Sequence, residues 1–301
     1  MKLFLENKMQ HNLQQLLGIC EDAVKIANDI LKKSGEAGRA EVYVQGKQED
    51  VTKADLDVLN AWRNYFSNLE IPIQVLTEES RDSRFFASPD QKYLGVGDEL
   101  DGTRNWKRAK GILPYCAIFT IAPITTGTRF GDALATAVLE HNTGNLWTGI
   151  KNKGCYFNGH EVSTTGKTKL GKDTIVMIDR GPCPKQEHSL RYFSLEQKTG
   201  HGNFGCAGIH MAGVASGSYT GWDAYCCMIQ KPEELIAGNL LITEAGGSLI
   251  DTLGNPISHQ RFEWNETYEL IAAATPDLAK EIRKEILMSG QARASYSQFM
   301  N

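Results

Sequence analysis

Apolar residues recur at three- and four-residue steps from about residue 12 to 33, where Leu13, Leu16, Leu17, Ala23, Val24, Ala27, Ile30 and Leu31 follow a helical period. That spacing predicts an amphipathic helix, with Gly35 and Gly38 ending it. A second helix is predicted over 53–69, because Leu56, Leu59, Trp62, Tyr65 and Leu69 share a face and Pro72 stops the pattern. Residues 41–45 between them read as a short strand. Apolar runs at 73–76, 115–122, 133–139, 146–150 and 155–158, punctuated by Gly, Asn and Pro, predict one sizeable, largely antiparallel sheet.

After the polar stretch 163–172 the pattern changes to a strand at 174–178 alternating with helices at 187–198, 208–215 and 232–245, a second and smaller α/β layer. Pro276 opens a last helix carrying Leu278, Ile282, Ile286 and Leu287, and 291–301 reads as a loose tail. The expected organisation is an N-terminal α+β domain over 1–165, a C-terminal α/β domain over 166–290 that completes one shared site, and the tail.

Composition narrows the function classes. With 301 residues, 41% hydrophobic and 23% charged, the chain buries a large core as one domain or two intimately packed ones. A net charge of −4 without a Lys/Arg cluster gives no footprint for a nucleic acid polymer or an anionic membrane, so any phosphate is bound locally. Seven scattered cysteines without a C-x-x-C pair read as reduced thiols. No secretory leader and no apolar run near about 20 residues is present, so a soluble, cytoplasmic protein is expected.

The densest acidic cluster outside a helical pattern is Gly97-Asp98-Glu99-Leu100-Asp101-Gly102-Thr103-Arg104-Asn105-Trp106, directly after the apolar stretch 93–96. Strand, acidic turn and helix are predicted in that order. Two carboxylates three residues apart, with the Leu100 carbonyl between them, suit a hard cation that takes oxygen ligands. Gly102 and Thr103 would open the helix, whose N-terminus favours an anion beside the cation. Alone, Asp-Gly-Thr is usually a capped surface turn.

Its company changes that reading. Thr77-Glu78-Glu79-Ser80, Val51-Thr52-Lys53-Ala54-Asp55, the hairpin-like stretch 146–159 and Thr243-Glu244-Ala245-Gly246-Gly247 resemble, in order and spacing, the inositol monophosphatase-like family, a group of Mg²⁺-dependent, lithium-sensitive phosphatases. The resemblance spans roughly 13–276 and implies an αβαβα sandwich, two or three Mg²⁺ ions and a homodimer acting on a small phosphorylated metabolite. Glu78, Asp98, the Leu100 carbonyl and Asp101 match its metal ligands. Asp55 and Thr103, with Glu78, match the groups that orient and deprotonate the attacking water.

The family's remaining metal aspartate comes from a Trp-Asp pair, and Trp222-Asp223 is present here, but that aspartate lies ten residues before the Glu of E-A-G-G. Ten before Glu244 is Glu234, which is therefore the expected ligand. Asp223-Ala224-Tyr225 instead matches the family's D-A-Y segment, which gives Asp223 a place behind the metal ligands or a structural role. Gly205, Cys206 and Ala207 resemble the phosphate-side turn, or serve close helix packing; Gly102, Thr103 and Cys227 complete the expected substrate wall.

Three departures from the family pattern stand out: Glu99 replaces a proline of the D-P-[IL]-D-G-T signature, Glu233-Glu234 replaces Trp-Asp, and Cys227 replaces a polyol-binding glutamate. A thiol is a poor partner for a polyol, which weakens inositol as substrate. A Mg²⁺-dependent phosphomonoesterase of a small sugar or polyol phosphate is the leading expectation. The alternatives are a 3′(2′),5′-bisphosphate nucleotidase and a catalytically degenerate homologue that binds a phosphorylated ligand. His141, His201 and His210 receive no role.

Overall fold

The computed structural model describes residues 2–40, 42–45, 50–80, 91–108, 112–180 and 190–297. Helix α1 (Lys2–Ala40) packs beside α2 (Lys53–Ser67), with the Trp62 indole N–H donating to the Ala23 carbonyl at 2.8 Å. Gly35 and Gly38 do not end α1, contrary to the expectation. An isolated helical glycine costs only about 1 kcal/mol relative to alanine, and Glu36, Ala37, Arg39 and Ala40 around these two are good helix formers. A small antiparallel pair, β1 (Val42–Gln45) and β2 (Asp50–Thr52), leads into α2.

The large sheet follows chain order: β3 (Ile73–Thr77), β4 (Tyr93–Asp101), β5 (Cys116–Pro123), β6 (Ala135–Glu140), β7 (Leu146–Ile150), β8 (Gly154–Phe157) and β9 (His160–Val162). Within this sheet, among the described residues, only β3 and β4 run parallel. The short helix α3 (Thr103–Arg108) follows β4. The second sheet has order β11-β10-β12-β14-β13, from β10 (Ile175–Asp179), β11 (Gly200–Gly202), β12 (Ala224–Gln230), β13 (Ser248–Ile250) and β14 (Tyr268–Ala273).

Between these strands lie α4 (Phe193–Lys198), α5 (Ala207–Ala215), α6 (Gly217–Thr220) and α7 (Pro232–Glu244), and α8 (Pro276–Ser297) closes the chain. The helix expected from 187 starts at Phe193 after a 3-10 turn, Leu190–Tyr192, and 187–189 lie outside the described residues, as does Cys183. The expected loose tail is instead helical through Ser297, because Ala292, Arg293 and Ala294 extend a favourable run.

Three apolar clusters define the layers. One face of the large sheet, through Phe119, Ile121 and Ala137, packs on α1 and α2. Its other face, through Leu94, Val96 and Ile118, meets Met211 of α5 and Leu235, Ile236 and Leu240 of α7. Those two helices also pack on Tyr225 and Leu270 of the second sheet, so they are apolar all round. The outer face of the second sheet is covered by Leu195 of α4 and Leu278, Ile282 and Ile286 of α8. The architecture is therefore an αβαβα sandwich. No helix among the described residues is long and apolar enough to cross a membrane.

Candidate metal centre

Strand β4 carries its acidic residues within the sheet rather than in a turn after it, which corrects the predicted strand-turn-helix boundary. On a regular strand Asp98 and Asp101 would point to opposite faces. A bulge between them resolves this: Asp98 pairs with Ile118 and Asp101 with Cys116, two residues of β5 that share the α5–α7 face. The extra residue on β4 turns both carboxylates to the same side. Gly102, at φ +87°, then reverses the chain into α3.

Glu234 enters from the first turn of α7, where a carboxylate is favoured by the helix dipole. One oxygen each from Asp98, Asp101 and Glu234 lie within 4.8 Å of one another, and all three residues are buried. Burial pushes each of these carboxyls above the ordinary range, and the neighbouring carboxylates push those of Asp98 and Glu234 further. Glu234 Oε2 has no hydrogen-bond partner among the described residues. Three converging buried carboxylates with an unused oxygen fit a hard divalent cation, which would supply the missing charge and coordination.

Asp101 is anchored from behind. The Gly208 amide, at the head of α5, donates to its Oδ2 at 2.6 Å, and the Cys206 thiol does so at 3.3 Å. A side chain at 208 would put its Cβ 3.1 Å from that oxygen and 2.6 Å from Ile118, so glycine is needed for this approach. Leu100 donates its amide to Asp98 Oδ1 at 2.8 Å, while its carbonyl accepts the Thr103 hydroxyl at 2.9 Å.

These groups border a cavity of about 540 Å³ whose lining includes Glu78, Asp98, Leu100, Asp101, Gly102 and Thr103. Gly205, Ala207, Cys227 and Glu234 face it as well. Two expected site residues do not. Cys206 is buried behind Asp101, and Asp55 is held in the capping box of α2, where its Oδ2 accepts the Thr52 amide and hydroxyl, both at 2.6 Å. Asp223 is also away from the cavity: it accepts the Thr165 hydroxyl at 2.6 Å and the Ile175 amide at 2.8 Å, tying β10 to β12. Glu99 is buried outside the lining, and burial raises its carboxyl well above the usual range.

Sequence reasoning missed the cavity's cations. Arg104, Lys107 and Arg108 of α3 line it, and so does Lys231, whose Nζ donates to Glu78 Oε1 at 2.5 Å. Lys231 was visible only as the neighbour of Pro232 and Glu234. His210 and Asn105 were also missed as positioning residues. The His210 Nε2 accepts the Phe204 amide at 2.9 Å, and Asn105 donates to the Phe204 carbonyl at 2.5 Å, so the loop before Gly205 is gripped from both sides. An adjoining cavity of about 520 Å³ shares Arg104, Asp179 and Asn203 with the first and adds Arg180 and His201.

The chain is 28% identical over 195 residues to inositol monophosphatase 1 of Mus musculus, covering 63% of this chain and 64% of that one. It is 25% identical over 252 residues to the Nus factor SuhB of Escherichia coli strain K12, covering 80% of this chain and 87% of that one. The crystal structure of the extragenic suppressor protein suhB from Bartonella henselae superposes with a TM-score of 0.76 at 20% identity, covering 90% of this chain and 98% of that one. The sequence profile of the inositol monophosphatase family matches residues 12–289, which takes in both sheets, the bulged strand and all three carboxylates: the chain belongs to that family.

Proposed function

We propose that this chain is a Mg²⁺-dependent phosphomonoesterase acting on a small sugar or polyol phosphate. The observation that carries this reading is the convergence of Asp98, Asp101 and Glu234 on one point of a cavity whose rim holds Arg104, Lys107 and Arg108. Magnesium, when bound, supplies positive charge against the phosphoryl oxygens and the leaving ester oxygen.

The chain's own groups account for the rest. The α3 cations draw in and orient the phosphate. The Thr103 hydroxyl donates its hydrogen bond to the Leu100 carbonyl, so its oxygen lone pairs accept from an attacking water and fix its direction. Of the expected bases, Glu78 lines the cavity and Asp55 does not, which favours Glu78 as acceptor of the water's proton. Burial holds the Cys227 thiol at a pKa of about 12, so this wall presents a neutral, weakly hydrogen-bonding group to a substrate hydroxyl. That disfavours inositol within the polyol phosphates.

The adjoining cavity leaves room for a larger ester, which keeps the bisphosphate nucleotide reading in the test. Phosphate release is measured from inositol 1-phosphate, fructose 1,6-bisphosphate, glycerol 2-phosphate and 3′-phosphoadenosine 5′-phosphate, with Mg²⁺ and with EDTA. EDTA-sensitive turnover of a sugar or polyol ester is expected. Preference for the nucleotide selects the nucleotidase, and binding of the esters without turnover selects the degenerate homologue.

A further inference from the structure

Lys231 is the cavity residue with the least local reason to be where it is. It is the residue before Pro232 and caps the N-terminus of α7 without a side-chain cap hydrogen bond. A cation there opposes the helix dipole, which favours anions. Its stabilisation comes from the carboxylates in front of it. The ammonium donates to Glu78 at 2.5 Å, and the two side chains are only 21% and 18% exposed. The same charge pulls the carboxyl pKa values of Asp98, Asp101 and Glu234 downward against their burial, so one ammonium acts on all four acidic groups.

The four carboxylates are thus not equivalent. Asp98, Asp101 and Glu234 close on one point, whereas Glu78 stands outside that triad with a lysine as partner. The family resemblance implies two or three ions, and two-metal sites set their ions about 4 Å apart. A second ion on the Glu78 side would have to displace or face a like charge already bonded to its ligand.

We propose that Lys231 is a resident cation that replaces a divalent ion on the Glu78 side of the cavity, so that the chain binds a single ion at Asp98, Asp101 and Glu234. The substrate's phosphate then meets one ion, one lysine ammonium and the α3 cations. An ammonium is a point charge with three donors, so it offsets charge and hydrogen-bonds phosphate oxygens without acting as a Lewis acid. The role given to phosphate rests on the phosphatase reading; the ion count stands apart from it.

The test counts Mn²⁺ bound per folded chain by equilibrium dialysis and electron paramagnetic resonance, without substrate. One Mn²⁺ is expected for the wild type and for Lys231→Arg, and two for Lys231→Ala. Two or more in the wild type, or one in Lys231→Ala, overturns the inference. Should Lys231→Ala fail to fold, Glu78→Gln decides: one Mn²⁺ with affinity within about threefold of wild type supports the inference, and a larger loss overturns it. Ester hydrolysis by a chain that binds two ions removes the resident cation and leaves the phosphatase. Lysine-dependent binding of one ion by a chain that hydrolyses no phosphate ester leaves the inference and removes the phosphatase.

Discussion

The two walls of the cavity are held in place by different means. The carboxylate wall is set by sheet geometry: a bulge on β4 aims Asp98 and Asp101 the same way, and the buried middle layer brings Glu234 up to them. The second wall is a loop whose Asn203 and Gly205 line the cavity and whose Phe204 backbone is held by Asn105 on one side and His210 on the other. A sheet bulge is fixed by ladder hydrogen bonds and core packing together, whereas a loop gripped by two side chains depends on each of them. Damage to the first wall should therefore abolish metal binding and chemistry, and damage to the second should loosen substrate placement while the ion stays.

The largest effect is expected from Asp101→Asn, which keeps the shape and removes a charge. Activity should fall by more than about 100-fold and metal affinity should fall with it, since even outer-shell losses at metal sites cost about 10- to 100-fold. Full activity in this variant would remove Asp101 from the mechanism. Gly208→Val comes next. Its side chain would have to displace Ile118, Cys116 and the Asp101 carboxylate. A drop in activity of about 10- to 100-fold is expected with a stability loss of about 1–3 kcal/mol, read from steady-state kinetics and urea melts. A wild-type melt and wild-type rate together would mean that α5 does not anchor Asp101.

Asn105→Ala sharpens the contrast from the loop side. Removing donors to the Pro114 and Phe204 carbonyls, at 2.7 and 2.5 Å, releases the loop from α3 without touching a carboxylate. The expected outcome is a KM raised by about tenfold, as for the loss of a hydrogen bond worth about 1.4 kcal/mol, with metal affinity unchanged. A matching fall in metal affinity would show that the two walls are not independent.

Much of this was legible in the chain because it rests on local signals. The period-two runs and turn residues of 115–158 gave strands that the structure places within a residue or two, and the helix of 53–69 was marked by its apolar face and by Pro72. Glu234 was found by counting from Glu244, whose carboxylate turns out to accept the amides of Asn152, Lys153 and Gly154 and so fastens the β7–β8 hairpin. The bulge was not legible, because it depends on β4 pairing with β5. Lys231 and His210 were not legible either, since their partners, Glu78 and the Phe204 amide, come near only in the folded chain. Asp55 was legible as a motif, but its capping-box engagement, with the carboxylate off the cavity, was not.

The smallest effect at neutral pH is expected from His210→Gln, and it grows in acid. Burial pushes the imidazole pKa down to about 3, so the folded chain keeps His210 neutral and its Nε2 available to the Phe204 amide. An unfolded histidine takes a proton below about pH 6.5. Between these values the unfolded state binds the extra proton, so the stability conferred by the neutral imidazole is present above pH 6.5 and lost as pH falls, by about 1.4 kcal/mol per unit. His141, also held at about 3 by burial, adds a second loss of the same sign, while the raised carboxyls of the metal centre act oppositely. Glutamine offers an acceptor and does not titrate, so the stability difference between the two chains isolates His210 from every other group. Urea midpoints at pH 7, 6, 5 and 4 should show that difference shifting in favour of the variant by about 1.4 kcal/mol per unit below pH 6.5. A difference independent of pH would mean that His210 is protonated without cost to the fold.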